Sequence, residues 1–268
     1  MQATPHNSNT IGMIVPEFLA TELTTKSSKY ALIIPVINEA KKIQKQLTQL
    51  KDLNLGIDII IADGGSTDGS LELEFLNSVG VSALLVKTGP GKLSAQMRMG
   101  MGFALRRGYE GLIFVDGNNK DDLSAIPSFI AKLEAGYDHV QGSRFIKGGY
   151  HENTPLLRWA AIRLLHAPLI SISSGFWYTD TTNGFRAYSR TLLTSPEMSV
   201  FRGVFSTYEL HYYLAIRSAR LGFKICEIPV KRCYPKGQVP SKITSWRGYW
   251  FVFTVLLKAV FHRYDPVA

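Results

Sequence analysis

Cysteine is nearly absent. The two present, Cys226 and Cys233, build no disulfide framework and form no Cys-x-x-Cys, so a reduced, cytosolic setting is expected. Zinc-finger spacing and RNA-binding aromatic signatures are missing, which sets nucleic acid aside as a partner. No stretch reaches the roughly 18–20 uninterrupted apolar residues of a spanning helix. The longest, Tyr249–Leu257, contains a threonine and stops at Lys258. The N-terminus lacks the basic-then-apolar order of a signal peptide. Internal repeats, low-complexity tracts and long linkers are also missing. Acidic residues are in deficit, 21 against 30 Lys and Arg, giving a formal charge of +9 over 268 residues. Phosphate-bearing partners and anionic membrane surfaces suit that balance.

What is present is a series of strand, loop and helix units. Tyr30–Val36 is an apolar strand, stopped at Pro35 and Asn38-Glu39, with Ile43, Leu47 and Leu50 following at helical spacing. Ile57–Ala62 ends in Asp63-Gly64-Gly65-Ser66-Thr67-Asp68-Gly69, and a helix through Leu71, Phe75 and Leu76 closes near Gly80. Val81–Val86 leads to Thr88-Gly89-Pro90-Gly91-Lys92 and a helix carrying Leu93, Met97, Met101 and Leu105. Leu112–Val115 is a fourth apolar run, broken by Asp116-Gly117-Asn118-Asn119-Lys120. Such alternation predicts a doubly wound, mainly parallel α/β sheet with helices on both faces. Right-handed crossovers then gather Asn38, Asp63, Lys92 and Asp116 at one sheet edge, where ligands bind such folds. A carboxylate and an amide two apart, Asp116 and Asn118, suit one hard cation, Mg²⁺ or Mn²⁺, bridging to phosphates; a strand followed by a polar turn is the plainer alternative.

Farther on, a helix face at Ile126–Leu133 precedes the short strand His139–Gln141 and Gly142-Ser143-Arg144. Leu156–Leu169 and Ser206–Leu221 read as helices, Phe223–Val230 as a last strand and Ile243–Arg263 as a final helix.

With these landmarks the chain resembles a family 2 glycosyltransferase of GT-A fold, nearest the polyprenyl-phosphate (dolichol-phosphate mannosyltransferase-like) branch. The resemblance spans about residues 30–242. It rests on Ile34-Pro35-Val36-Ile37-Asn38-Glu39, the Asp63–Asp68 turn, Asp116-Gly117-Asn118, Gly142-Ser143-Arg144, Asp180-Thr181-Thr182-Asn183-Gly184-Phe185-Arg186, Glu227-Ile228-Pro229-Val230 and Ser241-Lys242. Met1–Lys29 reads as polar and loosely ordered, apart from Ile11–Leu19, and the resemblance implies a donor half near 30–122. An acceptor half near 123–242 and an amphipathic helical extension at 243–268 complete that division. It implies further that Pro35, Asn38 and Glu39 line a nucleotide pocket, Asp63 meets the base, Asp68 organises its turn and Lys92 approaches the diphosphate. Asp116, Gly117 and Asn118 would then hold the donor, with metal on Asp116 and Asn118. Arg144 would meet an acceptor phosphate, and Asp180, Arg186 and Lys242 would shape the acceptor side.

The implied reaction is inverting transfer from a GDP- or UDP-linked sugar to a polyprenyl phosphate. A glycan hydroxyl acceptor is the alternative and would need a base, Asp180 first and Glu209 second. A non-catalytic nucleotide-binding partner is a third reading. It is motivated by Asn118, which stands where the family has aspartate; Asn118 and Lys120, the latter in place of glutamine, put metal dependence in question, and Gly64 stands where the base turn commonly has a second acidic residue. The branch's arginine before Ser-Lys lacks a clean match, and Lys236 is the expected substitute. Trp246, Tyr249 and Trp250 with Arg247, Lys258 and Arg263 suit a helix lying in a membrane interface, and Leu156–Trp177 offers a second such surface. Packing on the core or on a dimer partner is the competing reading. Peripheral association with the cytoplasmic membrane face is expected, and a homodimer is compatible with it.

Overall fold

A computed structural model describes residues 4–6, 12–235 and 245–266. The strands are β1 (Thr4–His6), β2 (Phe18–Glu22), β3 (Tyr30–Val36), β4 (Asp58–Asp63), β5 (Val81–Lys87), β6 (Gly111–Phe114), β7 (His139–Ser143), β8 (Tyr150–Glu152), β9 (Arg186–Ser189), β10 (Ile225–Pro229) and β11 (Lys231–Cys233). The helices are α1 (Lys41–Leu53), α2 (Leu73–Ser78), α3 (Leu93–Arg106), α4 (Ile126–Glu134), α5 (Leu156–Ala161), α6 (Ala167–Ser174), α7 (Arg190–Thr194), α8 (Glu209–Arg220) and α9 (Trp246–Val260).

Nine strands form one sheet in the order β1-β2-β5-β4-β3-β6-β9-β7-β10, and β8 pairs with β11 in a small second sheet. The run β5-β4-β3-β6 is parallel, as the apolar runs predict. β9 enters antiparallel between β6 and β7, and β2 pairs antiparallel with β5. The apolar stretch Ile11–Leu19 runs into β2, where Phe18 and Ala20 are buried, so the expected loose order of the N-terminal segment does not hold at Ala20–Glu22.

Period-2 alternation divides the strands between two cores. Leu32, Ile34, Val36, Ile59 and Ile61 pack with Ile43, Leu47, Leu76 and Phe129 from α1, α2 and α4. Ala31, Ile33, Ile60, Ala62 and Leu85 pack with Met97, Met101, Leu210, Leu214, Val255 and Leu256 from α3, α8 and α9. α3 is buried along nearly its whole length because it lies between the sheet and α8. A Cβ on Gly100 would come 2.8 Å from Ile33 Cγ2, so glycine permits that close approach.

α5 and α6 are joined by a π-helical turn, Ile162–His166, just before Pro168. Proline has no N–H for the Leu164 carbonyl and its ring crowds that oxygen, which the wider turn accommodates. The 19 residues Leu156–Ser174 are long and apolar enough to cross a membrane by length and composition, beyond what uninterrupted runs in the sequence suggested. Leu156, Leu157, Leu164 and Ile172 are exposed, while Ile162, Ala167 and Ile170 are buried. Ser173 Oγ donates to Val260 O at 2.8 Å, tying α6 to α9. α9 is capped by Ser245, whose Oγ accepts from Gly248 N. It buries Val255, Leu256 and Ala259 and exposes Trp246, Tyr249 and Trp250, so one face packs on the domain and the aromatic end does not.

Candidate active site

The parallel register sets Val36 beside Asp63 at the carboxyl ends of β3 and β4. The loops that follow are laced together. Gln96 Nε2 donates to Val36 O and Ala62 O at 2.8 and 2.9 Å. Thr67 N donates to Asn38 Oδ1 at 2.8 Å, and Asn38 N to Ser66 Oγ at 2.9 Å. Asn38 and Ala40 both take left-handed backbone angles, φ 48 and 49, which is unfavourable for alanine. The Asp68 carboxylate holds that conformation, accepting from Ala40 N at 2.7 Å and from Ser70 N and Oγ. Those hydrogen bonds, Ser70's foremost, keep Asp68 below the usual carboxylate range. Asp63 is buried and accepts from Ser66 N and Oγ, so its carboxylate closes its own turn. Pro35 and Glu39 are half-buried, with Glu39 Oε2 3.9 Å from Lys42 Nζ.

Asp116 follows β6 on the same edge. Its carbonyl accepts from Gln46 Nε2 at 3.1 Å, and Gln46 Oε1 accepts from Asn119 N at 2.7 Å, so α1 fixes the turn. Gly117 lies so close to Val36 that a Cβ would sit 2.9 Å from its Cγ2. Gly184 presses on Asp116 from the other side, where a Cβ would fall 2.4 Å from Oδ1. Asn118 Oδ1 is buried without a hydrogen-bond partner, while its Nδ2 lies 3.4 Å from Asp116 Oδ2. An orphaned hard oxygen beside a carboxylate fits a divalent cation that takes its other ligands from phosphates and water. Among the described residues, no group of three or more His, Cys, Asp or Glu could hold a metal unaided.

The Asp116 carboxylate also meets Arg232. Nη2 donates to Asp116 Oδ2 at 2.9 Å, and Nη1 donates to Asp121 Oδ2. The Asp121 and Arg232 side chains are 1% and 8% exposed and that of Asp116 is 32% exposed, so Asp116 alone of the three reaches solvent. Burial pushes the Asp116 carboxyl up, but Arg232, His211 and Lys120 outweigh it and hold it below the usual range. Burial wins at Asp121, whose carboxyl is raised despite Arg232. His211 is depressed to about 3, chiefly by burial and secondly by Arg186, and its Nδ1 has no hydrogen-bond partner. Lys120 is buried and pushed down by desolvation and by Arg232.

Arg144 and Asp180 form a buried two-pronged pair, Nε to Oδ2 at 2.6 Å and Nη2 to Oδ1 at 2.9 Å. Arg144 Nη2 also donates to Thr182 Oγ1, and Nη1 donates to the Tyr234 hydroxyl at 3.3 Å. Arg158 Nη1 donates to the same hydroxyl at 3.4 Å. Lys120 and Arg232 lie over the Tyr234 ring, 5.3 and 5.7 Å from its centroid. Burial raises the Tyr234 phenol, but Arg232, Arg144 and Arg158 more than offset it and leave it below the ordinary value. A cavity of about 490 Å³ opens beside Arg144, lined also by Phe145, Tyr150, Trp159 and Arg163.

Several expectations require correction. Asp180 is fully buried, and its carboxylate accepts from Arg144 and from Thr182 N, so it is a counter-ion and not a free base. Arg144 pulls Asp180 below the carboxylate range against the effect of burial. Glu209 accepts from Thr207 N and Oγ1 at 2.6 and 2.5 Å and is likewise engaged. Arg186 faces inward, donating to the carbonyls of Asn183, His211 and Thr181, so it supports the Asp180–Gly184 loop and does not meet an acceptor. Lys92 stands exposed at the N-cap of α3, its N–H donating to Ser206 O at 2.7 Å. Lys242 and Lys236 lie outside the described residues. Arg232, Tyr234 and Arg158 join the site without having been singled out for it; Arg232 is the buried middle residue of β11.

Comparison with known proteins accords with this geometry. The model of the family described as Glycosyl transferase family 2 matches residues 31–195, more than half of the chain. The chain is 28% identical over 205 residues to the undecaprenyl-phosphate mannosyltransferase of Micrococcus luteus, covering 74% of this chain and 81% of that one. It is 26% identical over 205 residues to the polyprenol monophosphomannose synthase of Mycolicibacterium smegmatis, covering 74% and 75%. A solved structure of glucosyl-3-phosphoglycerate synthase from Mycobacterium tuberculosis, in complex with Mn²⁺, UDP and glucosyl-3-phosphoglycerate, superposes with a TM-score of 0.60. Its identity is 18%, over 89% of this chain and 81% of that one, a likeness of fold.

Proposed function

This chain belongs to glycosyl transferase family 2 and is a glycosyltransferase of GT-A fold, and on that premise we propose that it moves a sugar from a GDP- or UDP-linked donor to a polyprenyl phosphate. One observation carries the choice of acceptor: the carboxylates considered as bases, Asp180 and Glu209, are already engaged, as are Asp121 and Glu227. Asp180 is held by Arg144, Asp121 by Arg232 and Glu209 by Thr207. Glu227 accepts from Thr179 N and Oγ1 and from Asp180 N. A sugar hydroxyl needs a base to take its proton, whereas a phosphate oxygen arrives anionic and needs none. The relatives named undecaprenyl-phosphate mannosyltransferase and polyprenol monophosphomannose synthase support the same choice.

The acceptor phosphate sits against Arg144 and Arg158, with its isoprenoid along the aromatic wall of the adjoining cavity. Its oxygen attacks the anomeric carbon from the face opposite the diphosphate. The bond from that carbon to the diphosphate breaks with its electron pair, so the configuration inverts. Charge grows on the leaving diphosphate, and Lys120 stabilises it from the Asp116 side. Mg²⁺ or Mn²⁺, when bound, would be held by Asp116 and Asn118 and would neutralise part of that charge. Asn38, Asp63 and Pro35 border the nucleotide. The exposed Leu156, Leu157, Ile172, Trp177, Trp246 and Trp250 form an apolar surface suited to the bilayer in which a polyprenyl chain resides.

The test is a panel of GDP- and UDP-linked sugars offered with a short-chain prenyl phosphate, the matching prenyl alcohol and oligosaccharides. Inverting transfer to the phosphate alone is expected; transfer only to a sugar hydroxyl overturns the proposal. Cosedimentation with anionic liposomes should fall when Trp246 and Trp250 become serine, and unchanged binding overturns the membrane surface.

A further inference from the structure

We infer that Tyr234 is a positioning residue that ties Arg158 to Arg144 and thereby assembles a two-guanidinium seat for the acceptor's phosphate. The inference rests on the acceptor reading above and goes beyond it by naming what builds the seat.

The two arginines are held very differently. Arg144 is buried and locked by Asp180 and Thr182. Arg158 projects from α5, a six-residue helix with no buried residue, so packing does not fix it. Among the described residues no carboxylate pairs with Arg158, and its guanidinium meets Tyr234: Nη1 donates to the hydroxyl at 3.4 Å and the guanidinium lies 5.6 Å from the ring centroid. Two like charges do not settle side by side unaided. The phenolic oxygen accepts from both and lets them share one locus, leaving the remaining N–H groups of Arg158 for an anion.

Tyr234 itself is well anchored. It is 5% exposed, its N–H donates to Glu152 O at 3.0 Å, and its carbonyl accepts from Asn153 Nδ2 at 2.9 Å. Its ring borders Lys120 and Arg232 while its hydroxyl meets Arg144 and Arg158. The side chain therefore stands between the Asp116 cluster and the acceptor arginines. Donor diphosphate and acceptor phosphate approach one another across it, each with its own cations.

Tyr234→Phe keeps the ring and its cation contacts and removes only the tie. Binding of a ten-carbon prenyl phosphate should weaken on the order of tenfold, as for one lost hydrogen bond to a charged group. KM for the prenyl phosphate should rise by the same factor, while kcat at saturation and the donor's KM stay within about twofold. Arg158→Gln should cause a similar loss, and the double variant should be no worse than the poorer single, because the two residues act as one unit. A Tyr234→Phe enzyme that binds prenyl phosphate like wild type, or losses that multiply in the double variant, overturns the role of Tyr234. A wild type that transfers sugar but does not bind prenyl phosphate overturns the acceptor reading, and this inference with it.

Discussion

Replacing Arg232 by methionine would expose how the Asp116 cluster is held together. Arg232 is the hydrogen-bond partner of Asp121 Oδ2, and Asp121 Oδ1 is buried with none. With the Asp121 side chain 1% exposed, removing the guanidinium leaves an uncompensated carboxylate in the interior. Breaking a buried pair in this way costs about 3–5 kcal/mol, a large part of the ~5–15 kcal/mol that stabilises a domain. Asp116 adds little, since its one-third exposed carboxylate can recruit water. Urea denaturation should report the loss as a lower midpoint at unchanged slope. Asp121→Asn in the same background should recover most of it, because the stranded charge is then gone. The deficit should also depend on pH. A buried carboxyl raised above its unfolded value binds its proton more tightly when folded, so the variant's deficit grows as pH rises through the folded pKa and shrinks in acid. An Arg232→Met protein losing less than about 1 kcal/mol, or one that Asp121→Asn fails to rescue, would refute the reasoning.

Asn118→Asp places a second carboxylate beside Asp116 and should tighten Mn²⁺ binding in the presence of nucleoside diphosphate by about tenfold or more, read by calorimetry; unchanged affinity would remove position 118 from the metal site. Burial depresses His166 to about 4, and burial with Arg186 depresses His211 to about 3, so both stay neutral when folded. Their unfolded forms take up protons near pH 6.5, so stability present above that pH should fall as pH drops from about 6.5 toward 4, at up to roughly 1.4 kcal/mol per unit for each. Melting temperatures that stay flat over that window would count against neutral, buried imidazoles.

The parts legible in the sequence were those with local causes. β3, β4, β5 and β6 are apolar runs closed by polar turns, and Asp116 with Asn118 follows directly from the end of one of them. β9 was not legible, because Arg186-Ala187-Tyr188-Ser189 has no apolar run and becomes a strand only by pairing with both β6 and β7. β2 likewise owes its order to the edge of β5. Arg232 escaped notice because it meets Asp116 across 116 positions of chain, and nothing near Lys231–Cys233 marks that distant partner. Arg144 and Asp180 were each expected on the acceptor side, but their mutual pairing is a property of the folded chain. That pairing is what removes Asp180 from consideration as a base.

The antiparallel strand between β6 and β7 ties the earlier and later strands of this sheet together. β9 is encoded after both of its neighbours, yet it supplies the rungs that join the strand bearing Asp116 to the strand bearing Arg144. A chain cut between those neighbours would therefore leave β9 on the fragment that already holds β7 and β10, and the other fragment would keep β6 as a bare edge. On a ribosome β6 is made first but stays an open edge until Arg186–Ser189 follows. Divergence is coupled in the same way: a change in the loop before β9 alters the bed of Asp116 and the counter-ion of Arg144 at once, so the surroundings of these two side chains cannot drift independently there.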